Sequence, residues 1–176
     1  MMISLYKFVL IWLMKITIKN KNSALLSYLF NVKKLLIAFV IFFITLIGVG
    51  IASSSMPSID GFLGWLISLF IPILYLFYHL MDGKKYIDKT YLESKDNGVE
   101  IHSGNIFNNT NISSLYSQIS NMGVFQDWKY KLFGISQISI TQTDGVQFSV
   151  WGFDPGEAQE FINQVSGKFQ IKVNTE

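Results

Sequence analysis

The sequence predicts an α-helical transmembrane hairpin followed by an α+β domain, in which a bent antiparallel sheet or partly open barrel is closed by one C-terminal helix. Two long apolar runs predict the hairpin. Short stretches of alternating apolar and polar residues, separated by turn sequences, predict the sheet. An amphipathic stretch with a well-marked start predicts the closing helix.

Two apolar runs define the hairpin. Leu35–Ala52 carries no charge, and Gly61–Met81 has no lysine or carboxylate and a single histidine, His79. A helix needs about 20 mostly apolar residues to cross the hydrocarbon core, and both runs have about that length. Because unpaired backbone groups are costly in lipid, both segments must be helical. The predicted spans are therefore 35–52 and 61–81, joined by an external loop at 53–60.

The net charge of +2 conceals an uneven distribution of charge. Residues 1–34 contain lysines and no acidic residue, whereas residues 86–176 contain more acidic residues than lysines. Lysines flank the outer ends of both spans and are absent from the loop at 53–60. Lysine near a span favours the cytoplasmic side. We therefore expect a cell-membrane protein of the inner (cytoplasmic) membrane, with both termini in the cytoplasm and the loop outside.

The lysine-rich N-terminal segment 1–34 begins with an apolar stretch, Met1–Met14. This stretch is too short to span a membrane, and it lacks the small-residue cleavage site of a signal peptide. Three alternatives stay open for it: an interfacial helix, a disordered tail, or an extension upstream of a true start at Met14.

A helix is predicted between this stretch and the first span. Ser23 is a candidate N-cap for a helix that begins at Ala24. We expect this helix to continue through Lys33 and Lys34 directly into the span.

From Tyr86 the pattern changes to that of an antiparallel β domain, predicted over 86–170. Turn sequences divide the strands, and Asp144-Gly145 predicts a hairpin with a two-residue type I′ turn. Gly123, in the longest predicted strand, indicates a β-bulge. The predicted strands are Tyr86–Glu93, Val99–Ser103, Ile106–Asn111, Gln118–Trp128, Gly134–Thr143 and Val146–Gly152.

The domain ends with a helix whose start is marked by capping residues. Asp154 is the predicted N-cap, Pro155 occupies the first helical position, and Glu157 completes a capping box. Gly167 is the predicted end of the helix. Residues 171–176 are predicted as a tail, with a short strand as the alternative. The predicted apolar face consists of Ala158, Phe161, Ile162 and Val165.

The order of these elements resembles that of a pleckstrin-homology (PH) fold, and the chain from Tyr86 to Phe169 resembles the bacterial PH domain family in its membrane-anchored form. The resemblance implies a strongly bent sheet plugged at one end by the last helix. One difference is that the family often has an arginine before an aromatic-Gly pair, where this chain has Lys129 and Lys131. The matching segments are GVEIHSGNIF (98–107), ISSLYSQISNM (112–122), LFGISQISITQTDG (132–145) and FDPGEAQEFINQV (153–165).

The side chains that carry catalysis are mostly missing from the sequence. Without cysteine there are no disulfides, no thiolate nucleophiles and no cysteine-based metal sites. His79 and His102 are the only histidines, and neither has a ligand partner at helical spacing, so we predict no metal and no cofactor. No nucleophile motif or phosphate-binding loop is present. We therefore expect that the protein is not an enzyme.

Binding to a protein partner, or self-association, is the first predicted function. The candidate residues are Phe125, Trp128 and Tyr130, because exposed aromatic side chains often dominate binding energy. A structural alternative, which we favour for this stretch, places Trp128, Tyr130 and Leu132 in the core and leaves the lysines between them in water.

Binding of anionic lipid headgroups by the PH-like domain is the alternative function. Clustered cations attract an anionic membrane surface, but the domain is net negative and has no arginine to form bidentate contacts. We therefore predict a non-enzymatic membrane-anchored module that mediates protein interaction or assembly. Its expected partners include the lipid bilayer but no nucleic acid. The headgroup candidates are Lys84, Lys85, Lys89, Lys129 and Lys131.

Overall fold

A computed structural model describes residues 14–55, 61–169 and 172–175 of the chain. These residues form two compact units. One runs from Tyr28 to Gly83, and the other combines the residues before Tyr28 with those after Gly83. The alternatives for the first 13 residues, and most of the predicted external loop, lie outside the described residues.

The segment before the first span forms two elements, strand β1 (Lys15–Thr17) and helix α1 (Lys21–Leu29). The prediction of Ser23 as the N-cap is wrong, because the side chain of Asn20 accepts a hydrogen bond from the backbone N–H of Ser23 at 3.3 Å. The helix also does not continue into the span. Asn31 instead caps a new helix. Its side-chain oxygen accepts a hydrogen bond, 3.1 Å long, from the backbone N–H of the residue two positions later.

Two long helices supply the candidate membrane spans. Helix α2 is Val32–Ser55 and helix α3 is Gly61–Lys89. Their segments Lys33–Ala52 and Leu63–Lys89 are long and apolar enough to cross a membrane, as predicted. The predicted second span ended at Met81, whereas the helix continues to Lys89 and so connects the span to the folded domain without a break.

Gly64 brings α2 and α3 close together. A Cβ atom built on Gly64 would lie 2.2 Å from Cγ1 of Val49, so only glycine fits at this position. Gly48 and Gly50, by contrast, have open space beside them.

The first sheet of the domain has the strand order β1-β2-β3-β4, with all neighbours antiparallel. Strand β1 comes from the segment before the hairpin and pairs with the first strand after it, so that Ile16 lies opposite Leu92. The domain is therefore discontinuous in sequence, and the prediction that it begins at residue 86 is wrong. The other strands are β2 (Tyr91–Ser94), β3 (Gly98–Gly104) and β4 (Asn109–Leu115).

The second sheet has the order β7-β6-β5-β8. Its first three strands are antiparallel, whereas β8 (Lys172–Thr175) is parallel to β5, which corresponds to the strand alternative for the C-terminal residues. Helix α4 (Trp128–Phe133) connects β5 to β6. Across the described residues the two sheets do not close into a barrel. The antiparallel strands are β5 (Ile119–Phe125), β6 (Ser136–Gln142) and β7 (Gln147–Phe153).

Helix α5 (Pro155–Phe169) covers the core between the sheets. Asp154 is its N-cap, as predicted, because its side chain accepts hydrogen bonds from the N–H groups of Gly156 and Glu157 at 2.9 and 3.2 Å. The helix continues two residues beyond the predicted end at Gly167. Its predicted apolar face is confirmed, since four side chains are buried in the core: Ala158, Phe161, Ile162 and Val165.

Three predicted strands have the wrong limits. Residues 86–89 are helical and only Tyr91–Ser94 is strand. The strand predicted at Ile106–Asn111 begins only at Asn109, because the side chain of Asn105 accepts bonds from two backbone N–H groups and holds the preceding residues in a turn. The strand predicted at Gln118–Trp128 ends at Phe125, where α4 is about to begin. The other three predicted strands overlap β3, β6 and β7.

Two glycine predictions have mixed outcomes. The hairpin at Asp144-Gly145 is present and Gly145 has a φ of 86°, but the loop has three residues, because Gln142 bonds to Val146 across it. Gly123 does not form a bulge. It pairs regularly with Ser139, and the irregularity of β5 lies between Ile119 and Asn121.

Candidate binding surface on helix α4

Hydrogen bonds fix helix α4 at both ends. The Asp127 carboxylate accepts the N–H of Tyr130 at 2.8 Å and caps the N-terminus. Gly134 ends the helix in the left-handed conformation (φ 62°), and its N–H donates to the carbonyl of Lys131. These caps explain why the stretch is helical and not the end of a strand. Six residues are too few for a stable isolated helix, so the caps and tertiary contacts hold it.

Trp128 and Leu132 project from α4 into solvent. Their exposed fractions are 73% and 71%, and their spacing of four residues places them on one side of the helix. The alternative that buried both in the core is therefore wrong. Of the other predicted aromatic candidates, Tyr130 is half-buried and Phe125 is a half-buried residue at the end of β5.

Three aromatic rings connect α4 to the last turn of α3. The ring of Tyr130 stacks on Trp151 with centroids 6.2 Å apart, and Trp151 stacks on Tyr86 at 4.6 Å. The backbone N–H of Trp151 also donates to the Tyr86 hydroxyl at 3.3 Å. Burial raises the pKa of the Tyr130 phenol above its ordinary value. The stack connects α4 to the domain end of α3.

Four predicted headgroup lysines flank this aromatic stack. Lys84 and Lys85 are exposed in α3, directly before Tyr86. In α4, Lys131 is exposed, and the half-buried Lys129 has its Nζ 5.8 Å from the ring of its neighbour Tyr130. Burial lowers the pKa of the Lys129 ammonium. We call Trp128, Lys129, Lys131 and Leu132 the α4 surface.

The fifth lysine candidate has a different environment. Lys89 donates to Oδ1 of Asn109 at 2.6 Å and lies 3.4 Å from the carbonyl of Asn105. It therefore binds the β3–β4 loop and is not part of the α4 surface. This loop carries Phe107, which is 77% exposed.

Neither the models of known protein families nor the curated proteins compared with this sequence match it. What the α4 surface does must therefore be argued from its own residues.

A second polar cluster lies on the outer face of the first sheet. The ligand atoms of Glu93, Glu100 and His102 lie within 4.8 Å of one another, because the strands β2 and β3 bring them together. The sequence prediction considered only helical spacing for histidine partners and missed this cross-strand arrangement. Such donors suit a divalent transition metal. Lys95, however, already pairs with Glu100 at 2.7 Å, so the protein itself neutralises part of the cluster.

The ring of His102 is held in place by its neighbours. It stacks on Tyr91 at 4.2 Å, and its Nδ1 and Nε2 lie 2.9 Å from Asn111 and 3.2 Å from Glu100. Hydrogen bonds from Lys95 and, less strongly, from His102 lower the pKa of the Glu100 carboxyl. These contacts supply hydrogen-bond partners for the polar groups of the cluster, which therefore forms a network on the surface of the sheet.

Sequence reasoning missed part of the α4 surface. The signal for the helix was present, since Asp127 and Gly134 are ordinary cap residues at the two ends of a six-residue stretch. The alternative that placed Leu132 in the core rested on its alternation with Lys129 and Lys131. The role of Trp151 depends on a contact between distant parts of the chain, and no local pattern indicates it.

Proposed function

We propose that this chain is a non-enzymatic, membrane-anchored module that acts by binding through its α4 surface. The observation that carries the proposal is the exposure of Trp128 and Leu132 on a helix that is capped at both ends and connected to the domain by stacked rings. Large apolar side chains exposed on a folded element are typical of binding sites.

The proposed location is the inner face of the cell membrane, with both termini and a PH-like domain in the cytoplasm. The distribution of lysines supports this topology, and the two candidate spans supply the anchor. Two sheets with a closing helix are compatible with a PH-like arrangement. A tag on either terminus should resist external protease in intact cells, and cleavage of either tag would contradict the topology.

A protein partner or a second copy of the chain is the first candidate for the α4 surface. Trp and Tyr are the side chains that most often dominate protein interfaces. Anionic lipid headgroups are the second candidate, supported by the lysines that flank the aromatic stack at both ends.

The first experiment measures the native mass of the detergent-solubilised full-length protein, purified alone and together with its cellular neighbours. A defined oligomer or a stoichiometric complex that Trp128→Ala and Leu132→Ala disrupt would support a protein partner. The matched control is Val146→Ala, which removes an exposed apolar side chain elsewhere on the domain. A monomer that retains only lipid would support the second candidate. A complex that all three variants leave intact would contradict the proposed site.

A further inference from the structure

Three large apolar side chains of the domain are more than two-thirds exposed among the described residues: Phe107, Trp128 and Leu132. They come from two separate segments, the β3–β4 loop and helix α4. Exposed apolar surface of this kind often marks an interaction site.

Both segments are attached to the last turn of α3. Tyr86 reaches α4 through the stack with Trp151 and Tyr130, with steps of 4.6 and 6.2 Å between ring centroids. Lys89, one turn further along α3, bonds to the β3–β4 loop at Asn105 and Asn109. The exposed apolar side chains therefore belong to two segments that border the point where α3 enters the domain.

The last turn of α3 comes shortly after the predicted membrane span. The span predicted from the sequence ends at Met81, within the longer apolar segment Leu63–Lys89, and Tyr86 follows five residues later in the same unbroken helix, which is about 7.5 Å at about 1.5 Å per residue. The headgroup region on one side of a bilayer is about as thick as this, since it makes up the difference between a core of about 30 Å and a total of about 40–45 Å. Tyr86 and the segments attached to it are thus expected at headgroup depth.

The chemistry of these segments matches that depth. Tryptophan and lysine concentrate at the membrane interface, where an apolar ring enters the acyl boundary and the ammonium group remains among phosphates. Lys129 and Lys131 accompany Trp128 and Leu132 on α4, and the acidic residue directly before the helix, Asp127, uses its carboxylate as the N-cap.

We propose that the α4 surface and Phe107 insert together into the headgroup region of the membrane that holds the hairpin. Lys129 and Lys131 of the α4 surface then contact anionic phosphate groups. The occupant of the α4 surface is then the lipid bilayer, and the domain is held against it at two points. This inference rests on the proposed membrane anchoring and specifies the partner of the proposed binding surface.

The experiment uses full-length protein in vesicles of phosphatidylcholine and phosphatidylglycerol in equal parts. Because the chain has no cysteine, Leu132→Cys and Phe107→Cys each accept one environment-sensitive dye at a defined position. The matched control is Val146→Cys, 44% exposed and five residues from Trp151 along β7, which is about 16 Å at about 3.3 Å per residue. Ile47→Cys, in the first candidate span, reports on the anchor itself.

We expect lipids with a nitroxide near the headgroup to remove about half of the dye emission at positions 132 and 107, where shallow insertion is proposed, and to leave position 146 unchanged. Lysine variants Lys129→Gln and Lys131→Gln should reduce the quenching at position 132, as should replacing phosphatidylglycerol by phosphatidylcholine.

Two results would overturn the inference while leaving the anchor intact, provided the dye at position 47 is quenched by a nitroxide deep in the acyl chains. In the first, positions 132 and 107 are as accessible to water as position 146. In the second, they are shielded from aqueous iodide but not quenched by nitroxide lipid, which would show that a second copy of the chain covers the surface. Failure of quenching at position 47 would instead refute the anchoring itself, and with it both proposals.

Discussion

Gly152 in β7 lies directly against Ile18, which follows β1: a Cβ atom built on Gly152 would come within 2.8 Å of the Cδ1 atom of Ile18. It would also lie 3.5 Å from Ala24 in α1. Gly152 has a φ of 106°, a conformation that residues with a side chain rarely adopt. Glycine at this position therefore permits the backbone conformation and also makes room for the segment that precedes the hairpin.

Gly152→Ala is expected to lower the free energy of unfolding by about 2–4 kcal/mol, because it adds backbone strain and overpacks Ile18. Gly145→Ala is the matched control, since Gly145 also has a positive φ but has open space beside it. It should cost about 1 kcal/mol. Denaturant unfolding of the detergent-solubilised chain measures both. Equal losses would contradict the contact between Gly152 and the N-terminal segment.

The domain should fold only with the segment that precedes the hairpin. Ile16, Ile18 and Ala24 are buried in the core, and β1 completes the first sheet. Residues 84–176 alone should therefore show no cooperative thermal transition, whereas residues 14–27 joined to them by a flexible linker should restore it. Ile18→Asp in the joined chain is the control and should abolish the transition again. An equally stable fragment of residues 84–176 would refute the discontinuous domain.

Phe161 is a completely buried aromatic side chain on α5. Phe161→Ala should cost about 3–5 kcal/mol of stability, because it removes buried surface and leaves a cavity that the surrounding core cannot fill. Gln164→Ala, on the exposed side of the same helix, should change stability by less than about 0.5 kcal/mol. A similar effect of the two substitutions in denaturant unfolding would show that α5 does not cover the core.

The ion pair between Glu100 and Lys95 should make stability depend on pH. The folded-state pKa of Glu100 lies below its unfolded value of about 4.3, so the pair stabilises the chain above that pH, and the stabilisation is lost as the pH falls through the folded-state pKa. Glu100→Gln should therefore lower the free energy of unfolding slightly at neutral pH, as the loss of an accessible ion pair usually does, and should have no effect in strong acid.

Denaturant unfolding at neutral and acidic pH measures the effect of Glu100→Gln. Lys95→Gln should produce the same loss at neutral pH, and the double variant should lose no more than either single variant. A difference between wild type and Glu100→Gln that stays constant across pH would contradict the assigned pair.

The elements that the sequence predicted correctly are those that local chemistry specifies. Asp154 caps α5 through bonds to groups two and three residues away, and Gly145 allows a backbone conformation that other residues disfavour. The apolar face of α5 was also predictable, because its period of 3.6 residues is visible in the sequence alone. None of these depends on what lies elsewhere in the chain.

The errors at the candidate site have a different cause. The stretch from Trp128 to Leu132 alternates apolar and polar residues as a strand does, but the caps Asp127 and Gly134 make it helical. Whether Trp128 is buried depends on what packs against that helix. Tyr130 stacks on Trp151, whereas Trp128 is exposed to solvent.

By itself, the sequence determined two helices able to span a membrane, the closing helix and most of the antiparallel strands, because hydropathy, capping and turn conformation act over a few residues. Only the tertiary structure decided that β1 belongs to the domain, that α3 continues to Lys89, and that Trp128, Leu132 and Phe107 face outward. Those features depend on pairing and packing between residues far apart in the chain. A three-residue strand such as Lys15–Thr17 carries too little local information to show its partner. Its place comes from backbone pairing with β2 and from the packing of Ile18, the residue directly after it, against Gly152.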